Sequence, residues 1–104
     1  MLFRSNLELD KIYTFKLTSG EELVAKVLEI TDSILTISDP VSIAPGPTGG
    51  LGLVPSLFTA KQHGRVTLNT NCVTLIATVD ENVESKYIQA TTGLITPEKK
   101  VLVG

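Results

Sequence analysis

The sequence predicts a mainly β protein: a small five-stranded antiparallel barrel with an inserted loop or arm and a short C-terminal helix. Apolar and β-branched residues alternate with polar ones at period two through residues 11–37, and short apolar strands return at residues 66–79. Turn residues separate these runs, and helical spacing begins only at Asp80. All 104 residues form one domain, with an irregular insertion at about 42–60 and the helix and tail at about 80–104.

The first strand begins at Lys11, where the period-two pattern starts. Residues 1–10 are weakly patterned, and they either form a short helical turn over a barrel end or fray. Residues 18–21 form the first turn, in which Gly20 is free to take a positive φ. These features predict an antiparallel first hairpin.

A half-buried second strand runs to about Ile30, and a third continues through Ile37 until Pro40 ends its regular pairing. Residues 44–50 form a loop rich in glycine and proline. The apolar group at 51–54 follows, and we expect an extra strand or arm that packs on the core or on a neighbour.

The fourth strand lies at 66–68, a tight turn at 69–71 and the fifth strand at 72–79. Strict alternation in the fifth strand gives two apolar faces, Val73, Leu75, Ala77 and Val79 on one and Cys72 and Ile76 on the other. We therefore expect cover on both sides of this strand, with Cys72 as a small buried hydrophobe.

Asp80 is the predicted N-cap of the helix, with acidic residues in the first turn. One helical face carries the three spaced side chains Val83, Tyr87 and Ala90. Gly93 is the predicted stop, and a basic and apolar tail follows.

Composition excludes several classes of protein. The only cysteine, Cys72, and the only histidine, His63, cannot form an internal disulfide or a His/His metal cluster. A net charge of -2 excludes a polycation that binds nucleic acid by bulk charge. We see no apolar run long enough for a membrane span and no signal-peptide pattern, so we expect a cytoplasmic protein. We also expect no metal and no cofactor.

No motif for catalysis appears, and we predict that the chain is not an enzyme. The glycines at 49–52 lie in a loop without the strand and helix that a phosphate cradle requires. Glu21 and Glu22 are neighbours in the chain and point to opposite faces of a strand. His63 has no nearby acid in the sequence to orient it, and Cys72 has no partner base.

The distribution of charge is uneven, because residues 40–79 contain Lys61 and Arg65 and no acid. One interpretation is that this stretch is mostly core strand and glycine-rich loop. The other is a face kept free of anions because an anion binds there, with His63 able to contact phosphate or a base.

The first three strands resemble the first Sm motif, which runs Leu-x-x-Gly, an apolar strand with a small residue, a turn acid and a Met-Asn-apolar step. The matching residues are Leu17, Gly20, Leu23, Ala25, Val27, Ile30, Asp32, Leu35, Thr36 and Ile37, with one extra residue near Thr31. The segment 68–76 resembles the second motif, Ile-Arg-Gly-x-x-Val-x-x-Ile, at its apolar positions, whereas Arg-Gly is replaced by Asn69-Thr70.

A second resemblance covers most of the chain. The run at 50–55, the helix with Tyr87 and the run at 93–97 are similar to small uncharacterised Sm-like proteins of marine viruses. This resemblance implies a cyanophage origin, an infected host cell as the compartment, and a homo-oligomeric ring of about five to seven subunits.

In Sm and LSm rings a base stacks between a side chain of the turn after the second strand and an Arg of the last turn, and an Asn reads its edge. The resemblance places these roles on Ile34, Asn69 and Thr36, in that order. Asp32 is the turn acid, and Asn71 shares the turn with Asn69. Neither Ile34 nor Asn69 provides the ring or the cation of the family site.

The leading hypothesis is a ring-forming Sm-like protein that binds single-stranded RNA or DNA. Its candidate contacts are Asp32, Ile34, Thr36, Lys61, His63, Arg65, Asn69 and Asn71. The alternative is a ring used for assembly, as an adaptor or virion component, without nucleic acid. A barrel that binds a small ligand is a third hypothesis.

Overall fold

The computed structural model describes residues 7–45, 49–61 and 63–92. The elements are β1 Lys11–Leu17, β2 Glu22–Ile30, β3 Ile34–Pro45, β4 Leu51–Pro55, β5 Arg65–Asn69, a 3-10 turn Thr70–Cys72, β6 Val73–Thr78 and α1 Glu81–Thr92. Residues 1–6 of the segment expected either to form a helical turn or to fray lie outside the described residues, as does the predicted stop at Gly93.

The strands form one antiparallel sheet in the order β4-β3-β2-β1-β6, with β5 also paired to β3. The long strand β3 has two partners along the same edge, β5 opposite its first half and β4 opposite its second half. The mainly β fold with one helix is therefore confirmed. The sheet has six strands and is open, because no ladder joins β5 to β6 among the described residues.

The insertion at 42–60 is more regular than predicted, and β3 continues through Pro40. Between the pairs Lys26–Ser38 and Val24–Val41 the register shifts, so Asp39 and Pro40 form a bulge opposite β2. Asp39 has a φ of 51°, which bends the strand there. A bulge tolerates proline because it requires no ladder hydrogen bond from that residue. The apolar run at 51–55 then pairs with β3 as the expected extra strand.

Two apolar clusters form the core. The first lies within the bent sheet and consists of Tyr13, Phe15, Leu23, Ala25, Val27, Leu35 and Ile37. The second lies under the helix and consists of Ile12, Val24, Val41 and Tyr87. Alternation along β1 and β2 assigns neighbouring side chains to the two clusters, so the sheet is covered on both faces there.

The helix begins as predicted. The Asp80 Oδ2 accepts hydrogen bonds from the backbone N–H groups of Asn82 and Val83, at 3.0 and 3.3 Å, which confirms the N-cap. Tyr87 is buried in the second cluster, and Val83 packs against that cluster. Ala90 is exposed, so the predicted apolar face is shorter than expected.

The hydroxyl of Tyr87 connects the helix to the sheet beside the β3 bulge. It donates to the backbone oxygen of Ser38 at 2.9 Å and accepts from the backbone N–H of Lys26 at 3.2 Å. Burial and then the negative charge of Asp39 raise the pKa of Tyr87 far above its ordinary value, while the hydrogen bond from Lys26 lowers it. The neutral hydroxyl is therefore the form that the fold stabilises.

Strict alternation is wrong for β6. Leu17 lies opposite Val73 and Lys16 opposite Leu75, so Thr74 is an extra residue in the ladder. Val73 and Ile76 therefore both pack against the first cluster, while Leu75 is 66% exposed. Cys72, expected to be buried, is exposed at the end of the 3-10 turn.

The first hairpin has the predicted geometry, because Gly20 has a φ of 93°. Its N–H donates to the backbone oxygen of Leu17 at 2.8 Å, which closes the turn. None of the helices in the described part of the chain is both long and apolar enough to cross a membrane.

Candidate nucleic-acid interface

The structure divides the candidate residues into two groups at opposite ends of β5. One group, which we call the loop end, consists of Asp32, Ile34, Thr36, Asn69 and Asn71. The other, which we call the basic group, consists of Lys61, His63 and Arg65. The four-residue separation of Arg65 and Asn69 along the strand corresponds to about 13 Å.

The loop end forms because two turns meet. The backbone N–H of Thr70 donates to the backbone oxygen of Ser33 at 3.0 Å, which joins the β2–β3 turn to the 3-10 turn. Ile34 and Asn69 face each other in the β3–β5 ladder. Directly opposed side chains in such a ladder have Cβ atoms about 4.5–5.5 Å apart, so the two lie side by side.

Local hydrogen bonds hold both residues in place. The hydroxyl of Thr31 accepts from the N–H of Ile34 and donates to its backbone oxygen, both at 3.1 Å. The Oδ1 of Asn69 accepts from the N–H of Asn71 at 2.9 Å, which caps the 3-10 turn. Asn69 thus presents its amide NH2 group as a donor, and Ile34 presents a side chain that is 41% exposed.

The outer face of the β3–β5 ladder extends this site along the strand. Thr36 lies two residues from Ile34, on the same face, and opposite Thr67. Thr67 was not among the sequence candidates, although its period-two spacing from Asn69 and Arg65 marks it. Arg65 continues the row on β5, so one face carries an apolar side chain, hydroxyls, an amide and a guanidinium.

The basic group is accompanied by acids that are distant in the sequence. Arg65 Nη2 lies 2.8 Å from Glu29 Oε1, and His63 Nδ1 lies 3.2 Å from Asp39 Oδ2. The expectation that His63 lacks a nearby acid is therefore wrong, because the β3 bulge brings Asp39 to it. The stretch without acids in the sequence is not a surface without acids.

The Arg65–Glu29 ion pair is exposed and weak. The side chains of Arg65 and Glu29 are 58% and 63% exposed, and such surface pairs contribute about 0–1 kcal/mol. Glu29 therefore holds the Arg65 guanidinium only weakly. Lys61 is exposed and forms no ion pair with the described residues.

Within the described residues, no three His, Cys, Asp or Glu side chains come together as a metal site would require. Comparison with known proteins adds no family, since no family model and no curated protein match this chain.

Proposed function

We propose that this chain is a non-enzymatic Sm-like protein that closes into a homo-oligomeric ring and binds single-stranded RNA or DNA. The observation that carries the proposal is the meeting of the two turns, which places Ile34 beside Asn69 at the loop end. The Sm resemblance assigns the base to the space between these two positions.

The chemistry of the loop end suits weak binding with little base preference. Ile34 provides apolar contact to a base face, and the donors of Asn69, Thr36 and Thr67 suit base edges or sugar hydroxyls. The stacking of a base on an aromatic side chain, which contributes about 1–3 kcal/mol, is missing. Affinity must therefore come largely from phosphate contacts.

Arg65 and Lys61 supply those phosphate contacts. Both are exposed, and Arg65 lies on the same face as Asn69. In a ring they repeat in every subunit, which turns a small charge per chain into a band of positive potential. Neutralised phosphates release counterions, with a slope of about -0.7 per phosphate, so binding is sensitive to salt.

The edges of the sheet support assembly. Among the described residues, β6 pairs only with β1, and β5 pairs only with β3. Free strand edges pair readily with another chain, and head-to-tail pairing that closes gives a ring. We place the contact between β5 of one subunit and β6 of the next, where Leu75 is 66% exposed.

The test is an anisotropy titration of labelled oligo-U and oligo-A at low and physiological salt, with the oligomer verified by light scattering. The double variant Lys61→Gln/Arg65→Gln should bind more weakly and with a flatter salt slope. Asn69→Arg should strengthen binding by adding the cation of the family site. Lys86→Gln, an exposed change on α1, is the matched control and should alter nothing.

The alternative, a ring used for protein assembly, is favoured by a different observation. Glu29 and Asp39 pair with two of the three basic side chains, and Phe58 is 81% exposed. An intact oligomer that binds neither oligonucleotide at low salt would contradict the nucleic-acid proposal and support this alternative.

A further inference from the structure

An open, mainly apolar cleft of about 560 Å³ lies between the bulge of β3, strand β4, the segment that follows it and the end of α1. Its apolar walls include Val41, Leu53, Leu57, Phe58 and Val66. This cleft is separate from the loop end, and it does not depend on the proposed function.

The walls of the cleft are incompletely covered by the described chain. Leu57 is 51% exposed and Phe58 is 81% exposed, although both line the same cleft. Large apolar side chains grouped in this way mark an interaction or binding surface. Asp39 and Lys61 also line the cleft, and because their charges are opposite, the cleft has no net charge from these two residues. Its occupant is therefore determined by the apolar walls.

The chain itself provides a matching segment. Helix α1 ends at Thr92, and Ala90 and Thr91, in its last turn, line the cleft. Residues 93–104 continue from this point, starting with Gly93, Leu94 and Ile95. A glycine directly after a helix favours a reversal of chain direction.

The chain that follows Thr92 is long enough to reach the cleft. Ile95 is three positions beyond Thr92, and an extended chain spans about 10 Å over that length. Since Thr91 lines the cleft, a stretch of that length is long enough to span from the end of the helix to the cleft walls. We propose that the cleft is the docking site of segment 93–104 of the same chain, with Leu94 and Ile95 covering Leu57 and Phe58.

Disulfide trapping in the full chain tests this proposal. Ala60 lines the cleft and is exposed, so Ala60→Cys combined with Thr96→Cys, in a Cys72→Ser background, keeps every apolar contact of the proposal. Mild oxidation should give an intrachain disulfide, read by intact mass and a non-reducing gel. The matched control pairs Thr96→Cys with Thr74→Cys, at the opposite edge of the sheet, and should oxidise several-fold more slowly.

Equal oxidation of the two pairs would overturn the proposal, and so would a disulfide that forms only between chains.

Hydrogen exchange provides a second readout. Leu94→Asp/Ile95→Asp should raise the exchange of the amides at 57–60 several-fold, while Glu98→Gln should leave it unchanged. Unchanged exchange in the double variant would also overturn the proposal.

Discussion

Removal of the Tyr87 hydroxyl should destabilise the domain far more than the loss of one oxygen atom at the surface would. Tyr87 is 2% exposed, and its hydroxyl bridges Ser38 on β3 and Lys26 on β2. Tyr87→Phe keeps the ring in the second cluster and removes only this bridge. The substitution thus isolates the polar link between helix and sheet.

The magnitude follows from the groups that lose a partner. A backbone N–H and a backbone oxygen each lose a hydrogen bond in a part-buried place, and a buried group left unpaired costs about 1–3 kcal/mol. Partial access of water to the two groups places the total near 2 kcal/mol. For a domain of this length that corresponds to a fall in Tm of about 8–12 °C.

The assay is urea and thermal unfolding followed by circular dichroism. The matched control is Tyr13→Phe, in which a similarly buried ring loses the hydrogen bond that its hydroxyl accepts from the N–H of Glu8 among the described residues. We expect it to cost about 1 kcal/mol or less. A free energy of unfolding for Tyr87→Phe within about 0.5 kcal/mol of the wild-type value would show that the hydroxyl bridge does not stabilise the domain.

The same residue predicts the alkaline behaviour. Because burial raises the pKa of Tyr87 in the folded chain, the unfolded chain binds fewer protons than the folded chain above about pH 10. The free energy of unfolding therefore falls as the pH rises beyond that value, by up to about 1.4 kcal/mol per pH unit from this group. This part of the pH dependence should vanish in Tyr87→Phe. The prediction is contradicted if the free energy of unfolding falls by the same amount between pH 9 and pH 11 in Tyr87→Phe as in the wild type.

Three further substitutions test the fold by urea unfolding. Gly20→Val should cost about 1–3 kcal/mol because of its φ of 93°, while Gly50→Val, outside that conformation, should cost little. Ile76→Asp should cost about 3 kcal/mol or more because it buries a charge against the first cluster, while Leu75→Asp should keep the fold and weaken assembly in light scattering. Thr70→Val should be neutral or stabilising, because the buried hydroxyl of Thr70 has no hydrogen-bond partner among the described residues. A loss above about 1 kcal/mol in Thr70→Val would contradict that geometry.

Local patterns predicted the parts of the fold that local interactions determine. The period-two runs gave β1 and β2, and the turn chemistry gave the positive φ of Gly20. Asp80 was identified as an N-cap because the cap is made within the next three residues. These features depend on neighbours in the chain.

Register and long-range pairing could not be predicted in the same way. The bulge at Thr74 depends on how β6 aligns with β1, which is distant in the sequence. The hydroxyl of Thr74 donates to the backbone oxygen of Lys16, 58 positions earlier in the chain. Because of this bulge, Ile76 and Val73 both pack against the first cluster and Leu75 is exposed, whereas strict alternation would place Val73 and Leu75 on the same face. The continuation of β3 through Pro40 likewise depends on a bulge opposite β2.

The candidate site shows the same division. Ile34 and Asn69 lie opposite each other in the β3–β5 ladder, and their contact with a base stays a prediction. The acids beside the basic group were missed, because Asp39 lies 24 positions from His63 and Glu29 comes from another strand. Charge counted along the sequence therefore overstated the positive potential of this surface.

Native mass spectrometry of the full chain with and without a short oligo-U, at low ionic strength, tests the central claim most directly. The proposal predicts one closed homo-oligomer and, with oligo-U, the same oligomer carrying bound nucleic acid. Asn69→Arg should increase the bound fraction without changing the subunit number. A monomer, or an intact oligomer that leaves all of the oligo-U free, would contradict the claim.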